Sequence, residues 1–217
     1  MRRALVILTL LMVPPAAAMD LIRLPPVVWN CESPDAFQKL SQVPALRTAH
    51  RVNDAAALIA QLSPADRANR QAQFYSALLA LDVNGKNPAA WSAALVGLAR
   101  MADDMPDYSR LSPAQRACPE TSALYEIFNT LAFQYSQSGN RKKAEQYFLR
   151  GEANETALSS TGRSKLEYNL GVLYTKRLDL DKASYHFNRA QAPANPAATV
   201  QLQAIMRAQT VAPPPPK

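Results

Sequence analysis

Glycine is scarce in this chain, with six in 217 residues, and against abundant alanine, leucine and glutamine that scarcity excludes a turn-rich β fold and points to helices. Histidine is limited to His50 and His186, neither in a catalytic setting that spacing reveals. His186 lies between Tyr185 and Phe187, where a partly exposed packing role is expected. A Gly-rich phosphate loop, a nucleophile elbow and a metal-binding His-Glu pair are all missing, so neither an enzyme nor a cofactor or metal is expected. Outside the first residues, no apolar run approaches the roughly 20 residues that a membrane span needs. A basic cluster interleaved with aromatics is lacking too, which removes nucleic acid from the expected partners.

The chain opens with Arg2 and Arg3, an apolar run from Ala4 to Val13, then Pro14-Pro15 and the small residues Ala16 to Ala18. This order reads as a secretory signal peptide over 1–18, too short in its apolar part to span a bilayer. Cleavage there would leave 199 residues with 22 basic and 17 acidic side chains, a mild excess of +5. Such an excess favours acidic partners or anionic lipid headgroups, a possible peripheral membrane contact. In an exported protein, Cys31 and Cys118 are expected to form a disulfide. Metal binding is the rival reading, although neither cysteine has a second ligand at zinc spacing.

After the leader, 19–32 contains paired prolines and a β-branched pair, expected to be an extended segment anchored by Trp29. Ser33-Pro34, Ser63-Pro64 and Ser112-Pro113 each place a capping hydroxyl before a proline suited to the first helical turn. Helices are predicted from Ser33 to about Gln42, over Asp54 to Leu62, and from Pro64 to about Leu81, with Pro44 ending the first and an irregular piece reaching His50. Asn87-Pro88 restarts a helix with Trp91, Ala94, Leu95, Leu98 and Met101 on one face, so 64–102 reads as a helical hairpin. It is either a degenerate repeat or an unrelated pair within an N-terminal helical region, 33–111. The loop Asp103 to Leu111 lacks the ligand alternation of a calcium site and reads as a solvated turn.

The stretch 121–194 says nearly the same thing twice. Leu131-Ala132, Tyr135, Ala144, Phe148 and Gly151 correspond, 39 residues on, to Leu170-Gly171, Tyr174, Ala183, Phe187 and Ala190. Clear copies are read at about 121–155 and 161–194, with an extra turn at Ala157 to Thr161 between them. A closing helix over 196–209 is predicted to turn Val200, Leu202, Ile205 and Met206 inward, and 210–217 is a Pro-rich, disordered tail. Within 112–209, Asn154-Glu155-Thr156 also fits a glycosylation acceptor, a triplet common by chance.

This pattern of small and aromatic residues resembles the tetratricopeptide repeat. The resemblance implies an all-α fold of stacked antiparallel helix pairs, an α-solenoid, with ligands held on the inward face of each first helix. In the first copy that face carries Glu126, Asn129, Thr130, Phe133 and Gln137; in the second, Lys165, Tyr168, Asn169, Val172 and Lys176. Lys165 and Asn169 fall where some members of the family hold a peptide's terminal carboxylate, a role to be set against that of ordinary solvated polar residues. Glu167 departs from the family, which places a large apolar residue there.

From Arg141 to Arg189 ten basic and six acidic residues are interspersed, with Arg141-Lys142-Lys143 opening a helix. These read either as a solvated face or as a contact for acidic surfaces. The expected function is a periplasmic scaffold binding a protein or peptide of the cell envelope, in a secretion, pilus or outer-membrane assembly system. The alternatives are a small-ligand or cell-wall-related enzymatic domain, and a self-assembling structural protein.

Overall fold

A computed structural model describes residues 33–85, 87–118, 120–191 and 195–211, with side chains as far as residue 207. The stretch 1–18 expected to be a leader, the 19–32 segment with Trp29 and Cys31, and 212–217 of the expected tail lie outside the described residues. Those residues form helices and connecting turns, with no strand among them. In order they are α1 Pro34–Leu40, α2 Val43–Thr48, α3 Val52–Ala60, α4 Pro64–Arg67, α5 Arg70–Val83, α6 Pro88–Asp103, α7 Pro113–Ala117, α8 Glu120–Tyr125, α9 Ile127–Gln137, α10 Arg141–Ala153, α11 Ser160–Thr175, α12 Leu180–Ala190 and α13 Pro196–Val211.

The three Ser-Pro pairs cap α1, α4 and α7. In each case the serine hydroxyl accepts an N–H of the first turn, and at Ser112 a reciprocal bond from its own N–H to Gln115 completes a capping box. Two predicted boundaries differ. Pro44 does not end a helix but sits in the first turn of α2, where its missing N–H costs nothing, so the piece reaching His50 is largely helical. The segment from Pro64 to Leu81 is divided at Asn69, whose side chain accepts from the Gln71 N–H and starts α5 anew.

Three hairpins, α5/α6, α9/α10 and α11/α12, pack in series, and α13 closes the row against α12. This is an all-α, solenoid-like stack. The two copies agree down to their turns. Gly139 and Leu178, 39 residues apart, both hold positive φ, at 81° and 61°. The following N–H, from Asn140 or Asp179, reaches back to Tyr135 or Tyr174 at 2.8 and 3.1 Å, and the same two side chains then cap α10 and α12. Tyr135 stacks on Tyr147 at 5.7 Å as Tyr174 stacks on His186 at 5.3 Å. Lys143 and Lys182 lie 5.0 and 5.1 Å over the respective tyrosine rings.

The inner face of α13 also differs from expectation. Ala198, Leu202 and Ile205 turn inward at helical spacing, whereas Val200 and Met206 are 62% and 56% exposed. Val200, two positions on from Ala198, falls on the far side of the helix, and Met206, eight positions on, sits at the edge of the stripe, where it stays half exposed. The helix runs two residues beyond its predicted end. The α6/α10 junction is tied by Arg150, which reaches Asp103 at 3.0 Å, and by Tyr147, whose hydroxyl meets the same carboxylate at 3.2 Å. Asn154 is buried there, accepting from the Tyr108 N–H at 2.7 Å and donating to the Arg150 carbonyl at 2.8 Å, so the acceptor triplet presents no free amide.

Candidate functional site

In α9 the buried side chains are Ile127, Phe128, Leu131, Ala132 and Tyr135. That periodicity turns Asn129, Thr130, Phe133 and Gln137 to the opposite face, with Glu126 at the N-cap position below them. In α11 the buried set includes Leu166, Leu170, Gly171 and Tyr174, which leaves Lys165, Tyr168, Asn169, Val172 and Lys176 on the corresponding face. Each residue of the first group is 39 positions from its counterpart, so the two faces share one register.

The faces meet. Asn169 Nδ2 donates to Asn129 Oδ1 at 2.9 Å across the α9/α11 contact. Glu126 lies over the first turn of α11, its Oε1 so near Gly162 that a Cβ there would stand 3.0 Å away. Burial holds the Glu126 carboxyl above the ordinary carboxylate range, and Lys165 pulls it back down. Phe133 is 43% exposed, Gln137, Lys165 and Lys176 are exposed, and Tyr168 and Val172 are half-buried against the core. The Tyr168 ring packs 5.6 Å from that of Phe187, which leaves Phe133 as the more exposed aromatic of the face. A terminal-carboxylate clamp at Lys165 and Asn169 meets two obstacles: the Asn169 amide is engaged by Asn129, and the Glu126 carboxylate faces Lys165.

Behind this face is a second cluster. Glu167 is fully buried, and His186, rather than being partly exposed, is 5% accessible, with Nδ1 2.8 Å from Glu167 Oε2. Arg189 Nε lies 2.7 Å from Glu167 Oε1, off the N–H axis, so the contact is ionic rather than a formed hydrogen bond. The Arg189 guanidinium also pairs with Glu155 and with the Tyr185 hydroxyl. Burial acts to lower the Arg189 pKa, but Tyr185, Glu167 and Glu155 outweigh it and raise it, so the arginine stays charged. The departure of Glu167 from an apolar pattern was the one sign of this cluster in the sequence. Cys118 is buried at the C-cap of α7, and its expected partner, Cys31, lies outside the described residues.

No protein-family model and no curated protein matches the chain. Among solved structures it is similar to the crystal structure of BtubC (BKLC) from P. vanneervenii, at 17% identity and a TM-score of 0.49, over 83% of each chain. A likeness at that level carries no argument about activity or partner. Among the described residues, no helix is long and apolar enough to cross a membrane.

Proposed function

We propose that this chain is an exported scaffold of the tetratricopeptide type, which holds a protein or peptide partner against the joined faces of α9 and α11. Its setting is the periplasm, within a secretion, pilus or outer-membrane assembly machine. The observation that carries the reading is the shared register of the two faces, side by side at the Asn169–Asn129 hydrogen bond with exposed Phe133 among polar and charged neighbours. An exposed aromatic gives a partner an apolar anchor, while Gln137, Lys165 and Lys176 supply polar contacts that choose among partners.

The reading of 1–18 as a leader supports the location, and a Cys31–Cys118 disulfide fits an oxidising compartment. The exposed Arg141, Lys142 and Lys143 favour an acidic partner or an anionic membrane surface beside the groove. Reversing charge at Lys165→Glu and Lys176→Glu together tests the reading by affinity capture from crosslinked cells. Recovery of a defined envelope protein is expected to fall about tenfold or more, with helicity unchanged. Equal recovery by both forms, or recovery of abundant bystanders alone, contradicts it.

A further inference from the structure

The cluster behind the groove face has a history written in the repeat. Glu167 and His186 stand 39 residues after Phe128 and Tyr147, and Arg189 stands 39 after Arg150. In the first copy Arg150 lies 4.7 Å over the Phe128 ring and pairs with the exposed Asp103, so an aromatic residue fills this position in the fold without a buried carboxylate. The second copy replaces the aromatic pair with a carboxylate and an imidazole, 0% and 5% exposed. A buried ion pair is seldom more stabilising than an apolar pair of similar volume, so stability alone does not account for the exchange.

A third ligand converges on the pair. One donor atom each from Glu152 at the end of α10, Glu167 in α11 and His186 in α12 lie within 4.8 Å of one another. Glu152 is only half-buried, which gives the cluster a solvent side, and no ion pair links its carboxylate to another described residue. We propose that Glu152, Glu167 and His186 form a binding site for a divalent transition-metal ion of zinc type, with the fourth position open to water.

The geometry needs a modest change, in which the Glu152 donor atom, up to 4.8 Å from the other two, closes toward them. Two ligands about 2.05 Å from a tetrahedral metal stand about 3.3 Å apart, so the 2.8 Å separation of His186 Nδ1 and Glu167 Oε2 has to open by only about half an ångström. The charges then balance. The metal neutralises Glu152 and Glu167 beside a neutral imidazole, while Arg189 remains paired with Glu155. Arg189 also stays on the second oxygen of Glu167, where a group that orients a ligating carboxylate is commonly found. Because the ligands come from three successive helices, the ion fastens the first repeat to the second. The site stands independently of the groove reading.

The test is zinc binding by the full, untagged chain, measured by calorimetry and by metal content after gel filtration. One zinc per chain is expected, with a rise in Tm on addition of Zn²⁺, and Co²⁺ in its place should give visible absorption of a protein-bound ion. Glu152→Gln should weaken binding by about 100-fold or more, since loss of even an outer partner typically costs 10–100-fold. Asp54→Asn, on the distant α3, should leave it unchanged. If loss of a buried ligand threatened folding, the double variant Glu167→Phe with His186→Tyr, copied from the first repeat, should stay folded and lose the metal. Failure of the wild-type chain to retain zinc overturns the proposal, and so does binding of equal strength by Glu152→Gln or by the folded double variant.

Discussion

The Phe187 ring lies against the backbone of Gly171 so closely that a Cβ built on the glycine would stand 2.7 Å from its Cδ1 and Cε1. Phe187 is completely buried, so the ring has no free space to take up the clash. Here the small-then-aromatic pattern of the repeat becomes a packing constraint between α11 and α12.

Gly171→Ala should therefore destabilise the chain by about 1–2 kcal/mol, the overpacking cost exceeding the helix-propensity gain of about 1 kcal/mol. Gly97→Ala in α6 is the matched control, because a Cβ there meets nothing within 4 Å. It should stabilise by up to about 1 kcal/mol. Urea denaturation followed by circular dichroism reads both, and a stabilising Gly171→Ala would refute the packing argument.

Leu178 holds φ of 61° at 85% exposure, in the turn position that Gly139 fills in the first copy. An L side chain is strained in that region and here has no burial to compensate. Leu178→Gly should raise stability by roughly 1 kcal/mol, despite the greater freedom glycine brings to the unfolded chain. Thermal melts of the two proteins check it, and a lower Tm for the variant would contradict the reading of the turn.

Glu126 offers a pH test. Burial raises its folded pKa above the ordinary value of about 4.3, so the folded state holds the proton more tightly than the unfolded state does. Ionising it then opposes folding: the cost is absent below the ordinary pKa, grows as pH rises through the window up to the raised value, and is constant above. Glu126→Gln removes the titration. Its stability relative to wild type should climb with pH through that window and then level off, as urea midpoints between pH 4 and pH 8 will show. A relative stability that falls with rising pH would reverse the assigned shift.

The parts of the fold that were legible in the sequence are those where one residue type has one physical use. Serine before proline marked the starts of α1, α4 and α7, and Ala132, Gly171, Phe148 and Phe187 marked where helices pack closely. Asn69 and Pro44 misled because each has two uses: asparagine caps a helix as readily as it decorates one, and proline opens helices as well as ending them. The groove positions followed from the repeat spacing, but the hydrogen bond from Asn169 to Asn129 did not, since it depends on how two hairpins stack. Glu167 and His186 were hardest to see. Glu167 stood out only as a polar residue at an apolar position and His186 read as a partly exposed packing residue, and only the folded pair, 19 positions apart, explains how a carboxylate and an imidazole are buried together.

The central claim is that the α9/α11 face holds the partner, and site-specific photo-crosslinking in intact cells tests it most directly. A benzophenone amino acid at Phe133 on that face is compared with one at Leu149 on α10, which has nearly the same exposure, 45% against 43%. The account predicts a discrete adduct with one envelope protein from position 133 and none from position 149, and loss of the adduct when Lys165→Glu and Lys176→Glu are added. The same adducts from both positions, or a discrete adduct from position 149 alone, would contradict it.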